Sequence, residues 1–332
     1  MYLNEFELIK RITHGVKISD GKLIQGVGDD CAVIAGESGI AQLLTTDALF
    51  EGIHFKKEWM IPRAIGRKAL SVNISDIAAM GGKPLYYLVS VGIPKGMPDK
   101  DVENLFEGMA QVAMAYRMVL IGGDTCGSGN GLLLSLTVIG EVEHSRCVFR
   151  KGAKAGDAIF ITGTLGEAAL GLACLSNRLR NMEVRDFIKR HDDPIPRVLA
   201  GQWFSASGCV SSMIDVSDGL AADLMHIAEA SGVGMRIGAD KIPLSNEFKS
   251  CAGNCGKDPL MLALTGGEDY ELAFTVSGGK TDLFEKMLRV VMPTFRHAVT
   301  RIGEVVEGSG VLAVDAHGAN IPLHSLGFEH KF

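Results

Sequence analysis

The chain has 332 residues, 47% of them apolar and 22% charged, with 33 basic and 39 acidic side chains and a net charge of −6. That length exceeds one hydrophobic core and points to two domains, and without a basic block nucleic-acid binding has no electrostatic support. Apolar stretches such as 132–139 fall far short of the roughly 20 residues that span a bilayer, and the acidic start Met1-Tyr2-Leu3-Asn4-Glu5 and seven scattered cysteines predict a cytoplasmic protein with reduced thiols and no membrane partner.

In chain order, Phe6, Ile9 and Ile12 predict a short helix over 5–13 with Asn4 as its N-cap. Apolar, β-branched runs at 41–45, 85–93, 118–121 and 132–142 read as strands. Between them lie helices over 62–80, stopping at Gly81-Gly82, and 99–116, opening after Pro98. The small, basic stretch 150–157 marks a domain boundary, giving domains 1–149 and 150–332. Beyond it come a strand at 158–162, a helix over about 165–179 and a second helix opened by 192–197. A strand at 213–216 precedes a helix over 217–231, capped by Ser217 or Asp218, with Leu220, Leu224, Ile227 and Ala228 on its apolar side. A strand at 272–276 and a helix at 282–291 follow. Mixed elements in both halves predict an α+β (mixed α/β) fold.

Six acidic clusters punctuate this pattern: Gly28-Asp29-Asp30, Thr45-Thr46-Asp47, Ser75-Asp76, Gly122-Gly123-Asp124, Asp215-Val216-Ser217-Asp218-Gly219 and Gly266-Gly267-Glu268-Asp269. Most fall where an apolar run ends and a turn is expected. Glycine there lets backbone and ligand approach closely, and glycine is abundant, 41 of 332 residues, against a typical ~7%. Carboxylates about 4 Å apart repel by roughly 4 kcal/mol per pair at intermediate dielectric. A hard divalent cation removes that repulsion, and Mg²⁺ takes one or two carboxylates together with phosphate oxygens. The pattern predicts a magnesium–phosphate site assembled from distant loops.

Other phosphate and metal devices are missing. No G-x-G-x-x-G is present, and Gly279-Lys280-Thr281 imitates the end of a P-loop but Phe274 stands where its first glycine belongs. There is no H-E-x-x-H and no G-x-S-x-G. Cys251 and Cys255 lack a second Cys/His pair and read as incidental thiols.

Taken in order, these clusters and their flanks resemble the thiamine-monophosphate kinases. The matching segments are Gly28–Ile34, Thr45-Thr46-Asp47 with Glu51–Phe55, Val72–Gly81, Ile121–Thr125, Gly156-Asp157 with Thr162-Gly163, Asp215–Leu220 and Gly266–Leu272. The wider superfamily includes aminoimidazole-ribonucleotide synthetase, selenophosphate synthetase and a hydrogenase-maturation protein. The resemblance implies an N-terminal sheet-and-helix domain that forms a dimer barrel and a C-terminal α/β sandwich. It also implies ATP and thiamine monophosphate as partners and several Mg²⁺ ions.

Carried over position by position, the implied metal ligands are Asp30, Thr45, Thr46, Asp47, Asp76, Asp124, Asp215 and Asp218. Taken alone, Asp76 reads as a solvated helix acid. Gly122, Gly123, Asp124, Arg150 and Ser217 would bind the nucleotide; otherwise Arg150 is a linker charge and Ser217 a helix cap. His54, Glu268 and Phe328 would contact the acceptor; otherwise His54 is structural and Phe328 packs the C-terminus. The implied reaction turns ATP and thiamine monophosphate into ADP and thiamine diphosphate by in-line transfer between phosphates. The acceptor oxygen is already anionic, so no general base, and no catalytic residue in that sense, is expected. A homodimer through the N-terminal half is implied, its strand 85–93 presenting Val89 and Val91 to a second copy. The competing readings are another ATP-dependent synthetase of the superfamily, a non-catalytic nucleotide-binding relative and a metal-dependent phosphatase.

Overall fold

Two proline-opened helices organise the N-terminal half. Pro62 stands in the first turn of α2 (Pro62–Ala79), and Pro98 caps α3 (Asp99–Tyr116), where its fixed φ and missing N–H cost nothing. In the computed structural model of the chain, which describes residues 5–14, 21–177, 179, 182–291, 293, 295, 298–323 and 325–329, these helices cover one face of a six-stranded sheet. Its strands are β1 (Leu23–Gln25), β2 (Ala32–Ala35), β3 (Ile40–Phe50), β4 (Lys83–Pro94), β5 (Val119–Ser128) and β6 (Leu133–Glu143), in the order β1-β2-β3-β6-β4-β5. A short helix α1 (Glu5–Thr13) precedes them; its expected cap, Asn4, lies outside the described residues.

Alternation along β3, β6 and β4 sends Leu43, Leu49, Leu134, Leu136, Val138, Val89 and Val91 into one core beneath the helices. Val89 and Val91 are 3% and 2% exposed, which corrects their expected place on an outer face. That outer face instead carries Tyr86, Leu88 and Ser90 of β4. The edge strand β5 is exposed along nearly its whole length, Val119, Leu120 and Ile121 included.

The second half builds a seven-stranded sheet, ordered β13-β12-β9-β11-β7-β10-β8. Its strands are β7 (Ala158–Thr162), β8 (Val210–Asp215), β9 (Gly234–Gly238), β10 (Leu272–Val276), β11 (Val299–Val306), β12 (Gly310–Val314) and β13 (Asn320–Ile321). Six of its helices are α4 (Glu167–Ser176), α5 (Arg185–Asp192), α6 (Val198–Ser207), α7 (Leu220–Ser231), α8 (Asn246–Asn254) and α9 (Pro259–Thr265). The last is α10 (Thr281–Val291). Ile159, Ile161 and Ala273 point to the side of α7 and α9, and Phe160 and Phe274 stack with Phe204 of α6 and Phe284 of α10 on the other.

Helix α2 joins the halves. It is buried along most of its length because it packs on the first sheet and also on α6 and β8. Three expectations change here. Helix α5 was not anticipated, since only Phe187 and Ile188 interrupt its charges. The helix expected to open at 192–197 begins at Val198. Helix α7 is capped by Gly219 at φ 130°, not by Ser217 or Asp218, and the Asp223 carboxylate accepts the Gly219 N–H at 3.0 Å.

Candidate active site

Strand β3 continues through Thr45-Thr46-Asp47 without the turn expected there. Because side chains alternate, Thr45 and Asp47 face α2 and Thr46 faces outward, where its hydroxyl donates to Leu136 O at 2.9 Å. The late turns of α2 supply the partners. Thr45 Oγ1 donates to Asp76 Oδ2 at 2.5 Å, and the Asp47 N–H donates to Asn73 Oδ1 at 3.0 Å. Asp30 enters from the loop before β2, and Asp215 from the end of β8, which belongs to the other half. Carboxylate oxygens of Asp30, Asp76 and Asp215 lie within 4.8 Å of one another.

Burial dominates the titration of this group. It pushes Asp215 up to about 8 and Asp47 to about 6, with Asp30 adding to both. Asp76 is driven well above the carboxylate range by burial and then by Asp47, Asp215 and Asp30. Asp29, also desolvated and next to Asp30, rises to about 7. Arg150 is a cation inserted among them, its Nη2 lying 2.5 Å from Asp30 Oδ1 and its N–H reaching Asp29. Asp30 Oδ2 and Asp215 Oδ2 are buried without a hydrogen-bond partner, a condition that costs free energy unless a ligand completes them. Oxygen-only donors, crowded and unsatisfied, fit a hard divalent cation.

Above this cluster a cavity of about 930 Å³ opens between the halves. Thr46, Asp47, Asp76, Asp215, Ser217 and Asp218 line it together with His54, Glu268 and Phe328. Strands β3 and β8, helix α2 and several loops thus bring eleven expected residues, with Asp30 and Thr45 beneath, to one place. Arg150 joins the group through Asp30. Ser217 serves as a backbone anchor, its carbonyl accepting the Glu268 N–H at 2.7 Å. His54 Nδ1 accepts the Phe50 N–H at 3.0 Å, and Phe328, 53% exposed, is tied down by its N–H to Asp218 O at 2.9 Å.

Gly122, Gly123 and Asp124 stand apart. The glycines form no turn; they lie within β5, and a Cβ on Gly123 would sit 1.9 Å from Val89 O of the neighbouring strand. Asp124 pairs in register with Ser90 and is exposed on the outer face, whereas Asp47 faces inward.

Lys68 and His191 are among the cavity residues that were not anticipated. Lys68, Val72 and Asp76 recur every four residues along α2 and all line the cavity, so the helical period was the available signal.

Residues 28–142 match the family described as AIR synthase related protein, N-terminal domain, and residues 154–315 match its C-terminal domain. The chain is similar to a thiamine-monophosphate kinase of Bacillus subtilis, with 38% identity over 309 residues and 92% of each chain covered. A thiamine-monophosphate kinase of Escherichia coli K12 is 36% identical over 333 residues, covering 99% of each. The solved structure of AaThiL complexed with AMPPCP and TMP superposes with a TM-score of 0.86 at 34% identity, covering 100% of this chain and 99% of the other.

Proposed function

The chain belongs to the AIR synthase related family and, within it, to the thiamine-monophosphate kinases, and from that premise we propose how its interdomain cavity transfers a phosphoryl group from ATP to thiamine monophosphate. The observation that carries the reading is the convergence of Asp47, Asp76, Asp215 and Asp218 with His54, Glu268 and Phe328 on one cavity.

The donor and acceptor are both polyanions, so the obstacle is mutual repulsion and then charge on the phosphoryl group in flight. Asp30, Thr45, Asp47, Asp76, Asp215 and Asp218 would hold Mg²⁺, which when bound screens phosphate charge and aligns the phosphates. Arg150 supplies a fixed cation beside Asp30 and is our nucleotide-phosphate residue, and Ser217, which lines the cavity, is our second nucleotide contact. His54, Glu268 and Phe328 form the acceptor end. The attacking phosphate oxygen is anionic at neutral pH, so alignment and electrostatics suffice and in-line transfer needs no protonated or deprotonated side chain. Gly122, Gly123 and Asp124 sit on the edge strand of the first sheet; we assign them to a nucleotide end that is completed when that face is covered, with Asp124 and the cavity-lining Thr46 as further metal ligands there.

Tyr86, Val119, Leu120 and Ile121 leave an apolar, unpaired edge and face on the first sheet. Edges of this kind are normally covered, and we assign this one to a second copy in a homodimer that closes a barrel. We keep the domains at 1–149 and 150–332. No described helix is long and apolar enough to cross a membrane, and all seven cysteines are free, which fits a reducing cytoplasm.

ADP release measured with thiamine monophosphate, with an aminoimidazole-ribonucleotide precursor and with no acceptor tests the reading. Release only with thiamine monophosphate and Mg²⁺ is expected; release that follows the aminoimidazole precursor, or water alone, would overturn it.

A further inference from the structure

Lys68 is a lysine 1% exposed in the middle of α2. Its Nζ lies 2.5 Å from Glu268 Oε2 and 3.1 Å from His191 Nδ1, and all three residues line the cavity. Burial first, and then Lys68, lowers the His191 imidazolium to about 3. The ring is therefore neutral at working pH, and its Nδ1 accepts from the ammonium. Among the described residues, Glu268 is the carboxylate paired with the lysine charge. An ammonium has three donors, and these two partners use two of them.

Glu268 needs such an anchor. Its backbone sits at φ 72°, a left-handed conformation that a non-glycine residue holds only when its surroundings impose it. Ser217 O fixes its N–H at 2.7 Å, and Lys68 fixes its carboxylate. The contact also crosses the halves, since Lys68 belongs to α2 whereas Glu268 and His191 belong to the second half. Adjacent Arg67 repeats the connection, gripping both oxygens of Asp193 at 2.8 and 3.1 Å. Replacing a buried ion pair by apolar side chains is often neutral or stabilising, so stability alone gives little reason for a lysine here.

We propose that Lys68 is a positioning residue of the acceptor site: acting through Glu268, it fixes that carboxylate and the approach of the two halves at the acceptor end of the cavity. This rests on reading the cavity as the site for thiamine monophosphate. Lys68 has no direct link to Arg150 or Asp30, so its influence falls on the acceptor and not on ATP.

The test is a double-mutant cycle. Lys68→Met, Glu268→Gln and the double variant are compared by steady-state kinetics with each substrate varied in turn, alongside melting temperatures. Each single variant is expected to raise KM for thiamine monophosphate by about tenfold or more and to leave KM for ATP unchanged. The double variant should be no worse than the worse single, because both remove one device. If Met at position 68 prevents folding, Lys68→Gln carries the same expectation. An unchanged acceptor KM, equal shifts in both KM values, or additive effects would overturn the proposal while wild-type turnover left the kinase reading standing. A wild-type protein inert towards thiamine monophosphate would remove that reading and this inference with it.

Discussion

Arg150 Nη2 meets Asp30 Oδ1 at 2.5 Å, placing one guanidinium at the edge of the buried carboxylates of Asp30, Asp76 and Asp215. The pair does double duty. It compensates one charge of the apoprotein and leaves Asp30 Oδ2 and Asp215 Oδ2 unsatisfied for a cation.

Breaking that pair from the cationic side should be costly. Arg150→Met leaves Asp30, whose side chain is 0% exposed, with no cation beside it, and losing one partner of a buried pair costs about 3–5 kcal/mol. We expect a clear drop in denaturation midpoint for the apoprotein, largely recovered in Arg150→Met/Asp30→Asn. A single variant as stable as wild type by urea unfolding would show that the pair is energetically idle.

Removing a crowded acid should have the opposite sign. Asp215→Asn deletes a desolvated carboxyl pushed up to about 8, so the apoprotein should melt higher, by roughly 2–4 °C per kcal/mol recovered. Asp47→Asn should behave alike. Each variant should lose turnover by at least about a hundredfold, the scale set by lost electrostatic groups in active sites, and should lose its melting response to Mg²⁺. Near-native kinetics with an ordinary magnesium dependence would exclude these residues from the site.

The same group predicts a pH dependence. In the unfolded chain these carboxyls titrate near 3.8; in the fold Asp47, Asp29 and Asp215 do so near 6, 7 and 8. Between those values the fold binds more protons than the unfolded chain. Their contribution is therefore whole below the unfolded value and is lost as pH rises through the folded ones. The apoprotein's melting temperature should fall from about pH 6 to pH 8, and Mg²⁺ should flatten that fall. A metal-free protein that grows more stable across this window would contradict the burial of these acids.

The sequence exposed the parts of this site that rest on local rules. Helices opened by Pro62 and Pro98 stand where expected because a fixed φ and a missing donor are local facts. Strand β3 was cut short because Thr45-Thr46-Asp47 reads as a polar end; the chain stays extended there since only its odd positions face the core. Gly122 and Gly123 suggested a turn, yet both lie within β5, and the small size of Gly123 serves the close approach of β4 to β5. Lys68 was invisible because a helical lysine ordinarily faces solvent, and Glu268, 200 positions away in sequence, together with His191 makes its burial tolerable.

The outer face of the first sheet yields the last expectation. Ile121 is 50% exposed on the edge strand, whereas Val89, on the neighbouring strand, points into the core beneath α2 and α3. The two positions separate association from folding. A charge at Ile121 meets water in the single chain and is buried only when a second copy covers the strand, so Ile121→Glu should weaken the dimer and leave the fold intact. Val89→Glu places an unpaired carboxyl inside the core, which costs several kcal/mol at a site with no partner, and should yield unfolded or aggregated protein. Sedimentation equilibrium at micromolar concentration, paired with circular dichroism melts, reads both. Wild type near twice the 35.4 kDa chain mass and Ile121→Glu near that mass, with an unchanged melt, is the expected pattern. A wild-type chain sedimenting as a single copy would mean that this apolar edge is left to solvent.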